Sequence, residues 1–271
     1  MTYRIGISGW TYAPWRAAFY PAGLAHKKEL AYAAGKLSSI EINGSFYALQ
    51  KPASYQSWLA QTPDDFVFSV KAGRFITHMK KLRDAESALA NFFASGLLAL
   101  GPKLGPILWQ LPPTLGYDPA RLTEFFAQLP RTTTAAVAVA QQHDERMQGR
   151  AHLLTDADRP LRHALEVRHA SYLTAEFVAL MRAHDIAIVT ADTAGKWPYF
   201  DDQTADFAYV RLHGSEELYV SGYSDEQLDV WAGRLQGWAA GCRDVYVYFD
   251  NDVKVHAPYN AMCLAEKLGA R

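Results

Sequence analysis

The chain has 271 residues, of which 49% are hydrophobic and 20% are charged. This composition is that of a globular protein with material for one large core or two small ones. With 27 basic and 28 acidic residues the net charge is −1, which excludes a general electrostatic attraction to nucleic acid or to an anionic membrane.

Two cysteines, Cys242 and Cys263, are too few for a disulfide framework, and they fit a reducing compartment. The N-terminal sequence has no basic segment followed by an apolar one, so a secretory signal is not expected. No apolar run approaches the roughly 20 residues that span a bilayer. We therefore expect a cytoplasmic protein with no membrane partner.

Runs of apolar and β-branched residues predict eight strands, which alternate along the chain with segments of helical character. The predicted strands span 3–8, 38–43, 66–71, 106–111, 164–168, 187–191, 207–213 and 245–249. The predicted helices span 26–34, 53–61, 84–100, 119–128, 174–184, 225–240 and 258–268. Asp118 followed by proline is typical of a helix N-terminus.

This alternation is typical of an α/β protein, either a TIM-type (β/α)8 barrel or a doubly wound open sheet. Two features favour the barrel. One face of the strands is repeatedly polar, whereas open parallel sheets are apolar on both faces, and no glycine-rich phosphate loop is present. We predict a single barrel domain over 1–271, with an insertion at 131–160 between the fourth and fifth strands. An added helix is predicted at 135–147, and 193–205 forms an irregular connection between the sixth and seventh strands.

Charged and amide residues recur on one face of at least five predicted strands, near their carboxyl ends. Successive side chains of a strand point to opposite faces. Glu41 and Asn43 therefore share one face of their strand, and Glu166 and Arg168 share one face of theirs. The same alternation assigns Lys71, Asp192, Arg211 and His213 to the inner face of their strands. In TIM barrels the functional site lies at this end of the strands. For the last strand the alternation leaves Asp250 or Asn251 as the inward residue.

Buried charges are rare unless they are paired or used, and apolar packing often stabilises a core as well as ion pairs do. We therefore interpret the converging charges as a functional site. The predicted catalytic residues are Glu41, Glu166, Lys71 and His213. The predicted substrate-binding residues are Trp10, Tyr47, Gln110, Arg168, His169, Asp192, Arg211 and Asn251.

Arginine presents a planar set of donors that matches phosphate and carboxylate groups. Arg168 and Arg211, helped by Lys71, are therefore predicted to hold an anion, with Glu41 or Glu166 as acid/base. We also expect Glu166 to bind Arg211 or Lys71 while Arg168 reaches into an open pocket. No metal-ligand spacing or cofactor motif is present, so no metal and no cofactor are expected.

The leading functional hypothesis is an enzyme, a hydrolase or lyase, acting on an anionic small molecule or on a phosphate-bearing end of a nucleic acid. The balanced net charge does not support the nucleic acid. One alternative is a carbohydrate-active hydrolase or lyase that uses two glutamates. Another is a non-catalytic ligand-binding protein.

Seven segments resemble, in order, those of the YecE-like family (domain of unknown function 72). They are GISGWTYAPWRAAFYP, SIEINGSFY, FVFSVKAGRFITH, GPILWQLPP, ALEVRHASYL, AYVRLHGSEELYVSGYS and VYVYFDNDVKVHAPYNA. The resemblance implies a TIM-type barrel and no particular reaction. The insertion at 131–160 and Asn43 depart from the family pattern. The recurrent positions that the resemblance implies are Trp10, Trp15, Glu41, Phe46, Tyr47, Lys71, His78, Gln110, Glu166, Arg168, His169, Arg211, His213, Gly214 and Asn251.

Overall fold

A computed structural model of the chain describes residues 2–238 and 241–270. Eight parallel strands close into a barrel in chain order, and the last strand pairs with the first. The strands are β1 (Thr2–Ser8), β2 (Ser39–Ile42), β3 (Val67–Lys71), β4 (Leu104–Gln110), β5 (His163–Glu166), β6 (Ala187–Asp192), β7 (Phe207–Leu212) and β8 (Asp244–Phe249). The predicted TIM-type barrel and its eight strands are confirmed.

Helices follow the strands and cover the outside of the barrel. Asp118 accepts a hydrogen bond from the Arg121 N–H, and Thr174 accepts one from the Phe177 N–H, so two of the helices begin at side-chain caps. The predicted end of one helix at position 240 lies outside the described residues. The helices are α1 (Glu29–Ala34), α2 (Gly44–Tyr47), α3 (Pro52–Ala60), α4 (Glu86–Ala94), α5 (Pro119–Ala127), α6 (Thr133–Ala140), α7 (Ala175–Ala183), α8 (Asp225–Trp238) and α9 (His256–Lys267).

The single helix predicted over 84–100 is divided in the structure. It stops at Ala94 because Gly96 has a φ of 114°, a backbone conformation that favours glycine. A Cβ atom at this glycine would lie 2.6 Å from the Cα of Pro52. A short 3₁₀ segment, Leu97–Lys103, then leads into β4.

The insertion at 131–160 packs α6 against α4 on the outside of the barrel. The hydroxyl of Thr132 caps α6 by accepting from the Ala135 N–H at 3.2 Å, and the helix ends at Ala140 rather than at position 147. A 3₁₀ turn, Glu145–Met147, follows it. The connection over 193–205 contains neither helix nor strand, as predicted.

Two apolar regions lie on the two faces of the strands. The outer face, with Ile40 and Trp109, packs against the helices. The inner face is filled by a smaller cluster that includes Leu108, Tyr209 and Tyr248. These inward rings form the floor on which the polar strand ends rest.

Two of the inward tyrosines, Tyr209 and Tyr248, are hydrogen-bonded to serines of other strands. The Tyr209 hydroxyl lies 2.7 Å from Ser69 Oγ, and the Tyr248 hydroxyl lies 2.8 Å from Ser39 Oγ. Gly6 in β1 permits the close approach of β2, since a Cβ there would lie 1.8 Å from the Ser39 carbonyl oxygen. Within 2–238 and 241–270, no helix is long and apolar enough to cross a membrane.

Candidate functional site at the carboxyl end of the barrel

Arg211 lies at the centre of a buried ion-pair network just above the tyrosine floor. Its Nε and Nη2 donate to the two oxygens of Glu41 at 3.1 and 2.9 Å. Its Nη1 donates to Glu166 at 2.8 Å, and its Nη2 also donates to Asp250 at 2.9 Å. The remaining Nη1 hydrogen faces His213 Nε2 at 3.4 Å. Because all of its N–H groups face protein acceptors, Arg211 has no donor left for a ligand.

The carboxylate of Glu41 is equally saturated. Besides Arg211, it accepts from the Ser8 hydroxyl at 3.0 Å and from the Tyr209 hydroxyl at 2.6 Å. Ser8 is the register partner of Glu41 across the β1–β2 pair, which explains its position. Burial, followed by the charge of Glu41, raises the pKa of Tyr209 well above its ordinary value, so the phenol remains a donor.

Glu166 holds two arginines. It accepts from Arg211 and from Arg168 Nε, the latter at 2.7 Å. Burial favours a higher pKa for Glu166, but Arg168 and Arg211 outweigh it and keep the pKa well below its usual range. The expected contact between Glu166 and Arg211 is confirmed. Arg168 lines a cavity, as expected, but it also bonds to Glu166, which was not expected.

Three neighbours fix the guanidinium of Arg168. In addition to the bond with Glu166, its Nη2 donates to Gln110 Oε1 at 3.0 Å, and its Cζ lies 3.7 Å from the centre of the Trp197 ring. Within the described part of the chain, Nη1 has no hydrogen-bond partner. Arg168 therefore keeps one donor group for a ligand while its orientation is held by the protein.

Asp250 resolves the phase of β8, which the sequence left open. It faces inward, and its Oδ2 lies 3.0 Å from His213 Nδ1 and 2.9 Å from Arg211 Nη2. Burial favours a higher pKa for Asp250, but Arg211 and His213 lower it to about 2. Burial and then Arg211 lower the pKa of His213. At neutral pH the imidazole is therefore uncharged, with Nε2 accepting from Arg211 and the proton on Nδ1.

Lys71, the last residue of β3, differs from the other charges of the network. Its side chain is buried, with 8% of the residue exposed, and its ammonium lies 4.6 Å from the centre of the Phe46 ring. Among residues 2–238 and 241–270 it has neither a hydrogen bond nor an ion pair. Burial, followed by repulsion from Arg211, lowers the pKa of Lys71 to about 8.

A cavity of about 840 Å³ opens in front of Lys71 and Asp250. Its walls include Trp10 and Tyr47, which follow β1 and β2. Trp10 packs edge-on against Trp58, with 5.3 Å between the ring centres. A second cavity of about 470 Å³ shares Lys71 and Tyr47 with the first and extends to Gln110, Arg168 and His78. Lys71 therefore stands where the two cavities meet.

Asp252 lines the larger cavity on the side of β8. Burial, followed by the charge of Asp250, raises the pKa of Asp252 to about 6. The Tyr12 hydroxyl, which donates to the Ser8 carbonyl oxygen, is buried beside it, and burial is the main cause that raises the pKa of Tyr12. Asp252 is thus a carboxyl group in the cavity that exchanges a proton close to neutral pH.

Three predicted substrate-binding residues lie outside both the ion-pair network and the two cavities. Asp192 lies on the outer face of the sheet, where it pairs in register with Leu212. The inner face of β6 is occupied by its smaller residues, such as Ala187 and Ala191. The predicted phase of this strand was therefore wrong. Asp192 instead accepts from the Tyr223 hydroxyl at 3.0 Å. His169 accepts from the Ser171 N–H and caps a short 3₁₀ turn.

Asn251 is the third of these residues. It is fully buried, and its side-chain amide donates to the Ser221 carbonyl oxygen and to Asn260 Oδ1, both at 3.0 Å. Asn251 therefore stabilises the loop that follows β7. Asp250, its neighbour, occupies the inward position instead.

Several groups that complete the site were not predicted from the sequence. Tyr209 and Tyr248 continue the inward alternation of Arg211 and Asp250, so the strand period could have identified them. Asp252 and Trp197 lie in irregular segments, where no period specifies which way a side chain points.

No group of three or more His, Cys, Asp or Glu side chains within 2–238 and 241–270 is arranged to hold a metal ion. The acidic groups of the network are instead paired with Arg211 and Arg168.

A closed parallel barrel with its charged cluster at the carboxyl ends of the strands has the architecture of a TIM-barrel protein. Within this class, the chain belongs to the DUF72 family, described as a protein of unknown function, whose sequence model matches residues 4–271. The resemblance read from the seven segments is confirmed.

Two related sequences illustrate the relationship. The chain is 24% identical to the UPF0759 protein YunF of Bacillus subtilis, over 97% of this chain and 94% of that protein. It is 27% identical to the UPF0759 protein YecE of Escherichia coli K12, over 86% of this chain and 81% of that protein.

Solved structures show the same fold. A DUF72 protein of Thermotoga maritima superposes with a TM-score of 0.79 at 24% identity, over 99% of this chain and 100% of the other. A DUF72 protein of Enterococcus faecalis superposes with a TM-score of 0.77 at 16% identity, over 100% and 96%.

Proposed function

We propose that the protein is an enzyme that acts on an anionic small molecule, bound at the carboxyl end of the barrel between Lys71 and Arg168. The observation that carries the proposal is the buried ammonium of Lys71, which faces two joined cavities and has no acidic partner among the described residues. A buried charge without a counterion is costly. A carboxylate or phosphate of the substrate would supply that counterion.

Arg168 adds a second, more directional contact for the anion. It shares the smaller cavity with Lys71, and its free Nη1 can donate to an oxyanion. Its stacking on Trp197 and its bonds to Glu166 and Gln110 hold the guanidinium in place before a ligand binds. A preorganised donor contributes more to affinity than a mobile one because less conformational entropy is lost on binding.

Within this proposal, Asp252 is the residue best suited to acid/base chemistry. Its pKa of about 6 allows it to take up and release a proton near neutral pH, which is what general acid/base catalysis needs. The two glutamates are less suitable, since Glu41 and Glu166 are buried and fully bonded to Arg211 and its neighbours. For the same reason the geometry does not favour sugar hydrolysis by a pair of glutamates, because Arg211 stands between them.

The test is a ligand screen on the purified protein. Carboxylic acids and phosphate esters are added one at a time, and thermal shift and native mass spectrometry report binding. We expect a subset to bind the natural chain and to bind at least tenfold more weakly after Lys71→Met. Lys36→Met, at an exposed lysine, is the matched control and should bind normally.

Turnover of a bound compound separates the enzyme from a ligand-binding protein. The proposal predicts that product forms with the natural chain and that Asp252→Asn slows its formation more than it weakens binding. Tight binding without any turnover would favour a non-catalytic role. Unchanged affinity in Lys71→Met would contradict the anion site itself.

A second candidate, a phosphate-bearing end of a nucleic acid, is favoured by one observation. Exposed rings and cations alternate beside the cavities: Tyr47 is 68% and Phe75 41% exposed, with Arg74 and Lys80 each 5.9 Å from a ring centre. Such surfaces stack bases and bind phosphates. Short single-stranded oligonucleotides with and without a terminal phosphate, titrated at two salt concentrations, test this candidate.

A further inference from the structure

We infer that Lys71 binds its substrate covalently, as a reversible imine with an aldehyde or keto group of the anionic small molecule. This inference rests on the proposed function and specifies its substrate class, an anionic carbonyl compound. It is carried by the position of the Lys71 amine and by the contrast with the other buried lysine of the chain.

The position of Lys71 suits a covalent role. Its backbone is fixed at the end of β3, with Leu108 as its register partner, while its amine faces the two cavities. The Phe46 ring covers one side of the amine. Catalytic groups of TIM barrels lie at the ends of strands, and a buried amine close to another cationic group, here Arg211, is a known form of an imine-forming lysine.

Lys103 shows what a structural buried lysine of this protein looks like. It is 5% exposed, and its ammonium donates to the carbonyl oxygens of Leu59 and Thr62 at 2.8 and 2.7 Å and to Thr62 Oγ1 at 3.3 Å. These three acceptors use every hydrogen of the ammonium. Lys71 has no comparable set of acceptors, so no hydrogen bond described in the protein holds it in the charged form.

The protonation state of Lys71 agrees with this role. A pKa of about 8 leaves about a tenth of the amine neutral at pH 7, whereas an ordinary lysine has well under a thousandth. Only the neutral amine has the lone pair that attacks a carbonyl carbon. The larger, protonated fraction of Lys71 provides the counterion for the anionic group of the substrate when the substrate first binds.

The reaction balances with groups that line the same cavity. The Lys71 nitrogen attacks the carbonyl carbon, and a proton moves from nitrogen to the carbonyl oxygen to give a carbinolamine. The carbinolamine hydroxyl then takes a proton from the Asp252 carboxyl group and leaves as water. The C=N bond forms as a protonated iminium, and Asp252 is left as a carboxylate, ready to return the proton when water reverses the step.

Glyoxylate with cyanoborohydride tests the inference. Glyoxylate is a small anionic aldehyde, and reduction of its imine leaves a stable carboxymethyl group on the lysine, which peptide mass spectrometry locates. At pH 7 we expect Lys71 to be modified at least tenfold faster than Lys36 or Lys103. The rate should saturate with glyoxylate, fall in the presence of sulfate, and fall again in Asp252→Asn.

Two variants separate this inference from the proposed function. Lys71→Arg keeps the positive charge without an imine-forming amine, so it should still bind sulfate but lose the saturable labelling. Lys71→Met should lose both. Sulfate binding by the natural chain with Lys71 labelled no faster than Lys36 would overturn the imine and leave the anion site intact. Absence of sulfate binding together with absence of labelling would overturn both.

Discussion

Arg211 and Glu41 form a two-point ion pair inside the barrel, with Nε and Nη2 of the guanidinium on the two carboxylate oxygens at 3.1 and 2.9 Å. Neither side chain has any exposed surface. They come from β7 and β2, which lie on different sides of the barrel. The pair therefore links the polar ends of strands on different sides of the barrel and stabilises the site from the barrel interior.

Removal of the central cation should destabilise the fold strongly. Arg211→Met leaves Glu41, Glu166 and Asp250 without their shared partner, and breaking a buried pair costs about 3–5 kcal/mol. Urea unfolding at pH 7 measures this loss. The control is Arg243→Met, since Arg243 is 83% exposed and an exposed pair contributes below about 1 kcal/mol. Equal losses in the two variants would show that the network does not support the fold.

The two partners of one contact should have unequal effects on stability. Glu166→Ala leaves both Arg168 and Arg211 short of an acceptor in a buried setting, and we expect it to cost about 3–5 kcal/mol. Arg168→Ala leaves Glu166 paired with Arg211 and should cost less than half as much. Thermal melts of the two variants check the order. A larger loss in Arg168→Ala would mean that its stacking on Trp197 dominates.

The network should also make the fold sensitive to acid. The folded pKa of Asp250 is about 2, below the unfolded value of about 3.9. The unfolded chain therefore binds more protons in this range, so the stabilisation present above pH 4 is lost as the pH falls toward 2. Urea unfolding between pH 5 and pH 3 measures the slope. Asp250→Asn should have a shallower slope, and an identical one would contradict the pairing.

Lys71→Met should raise stability at neutral pH, unlike the substitutions above. It removes a buried charge that has no acidic partner among the described residues and keeps a chain of similar length. The folded pKa of Lys71, about 8, lies below the unfolded value of about 10.4. The natural chain therefore gains stability from this group as the pH rises from 8 toward 10.

The difference in the free energy of unfolding between Lys71→Met and the natural chain should accordingly shrink between pH 7 and pH 9.5. Unfolding measured at both pH values checks this, with Lys36→Met as the reference for the titration of all other groups. A loss of stability in Lys71→Met at pH 7 would show that the ammonium is stabilised by the protein after all.

The barrel could be predicted because period-two alternation and the order of strands and helices are local properties of the sequence. The same alternation correctly brought Glu41, Glu166 and Arg211 to one end of the barrel. It failed for Asp192, whose strand turns its small residues inward to make room for the tyrosines of β7 and β8. Such complementarity across the barrel is a property of packing, which no single strand reveals.

The division of roles within the site could not be predicted for a related reason. The sequence shows three cations at strand ends, but only the three-dimensional arrangement shows which of them are paired. Arg211 is enclosed by carboxylates, Arg168 is partly free, and Lys71 has no acidic partner within 2–238 and 241–270. Side chains on irregular segments, such as Trp197 and Asp252, carry no periodic signal at all.

The central claim is that the Lys71 ammonium is the counterion of a bound anion, and calorimetric titration with sulfate tests it most directly. Sulfate does not change its charge between pH 7 and pH 9.5, whereas Lys71, with a pKa of about 8, loses most of its charge. We predict that the natural chain and Lys36→Met bind sulfate at pH 7 and at least tenfold more weakly at pH 9.5. Lys71→Met should show little binding at either pH. Equal sulfate affinity in Lys71→Met and the natural chain, with the same pH dependence, would contradict the claim.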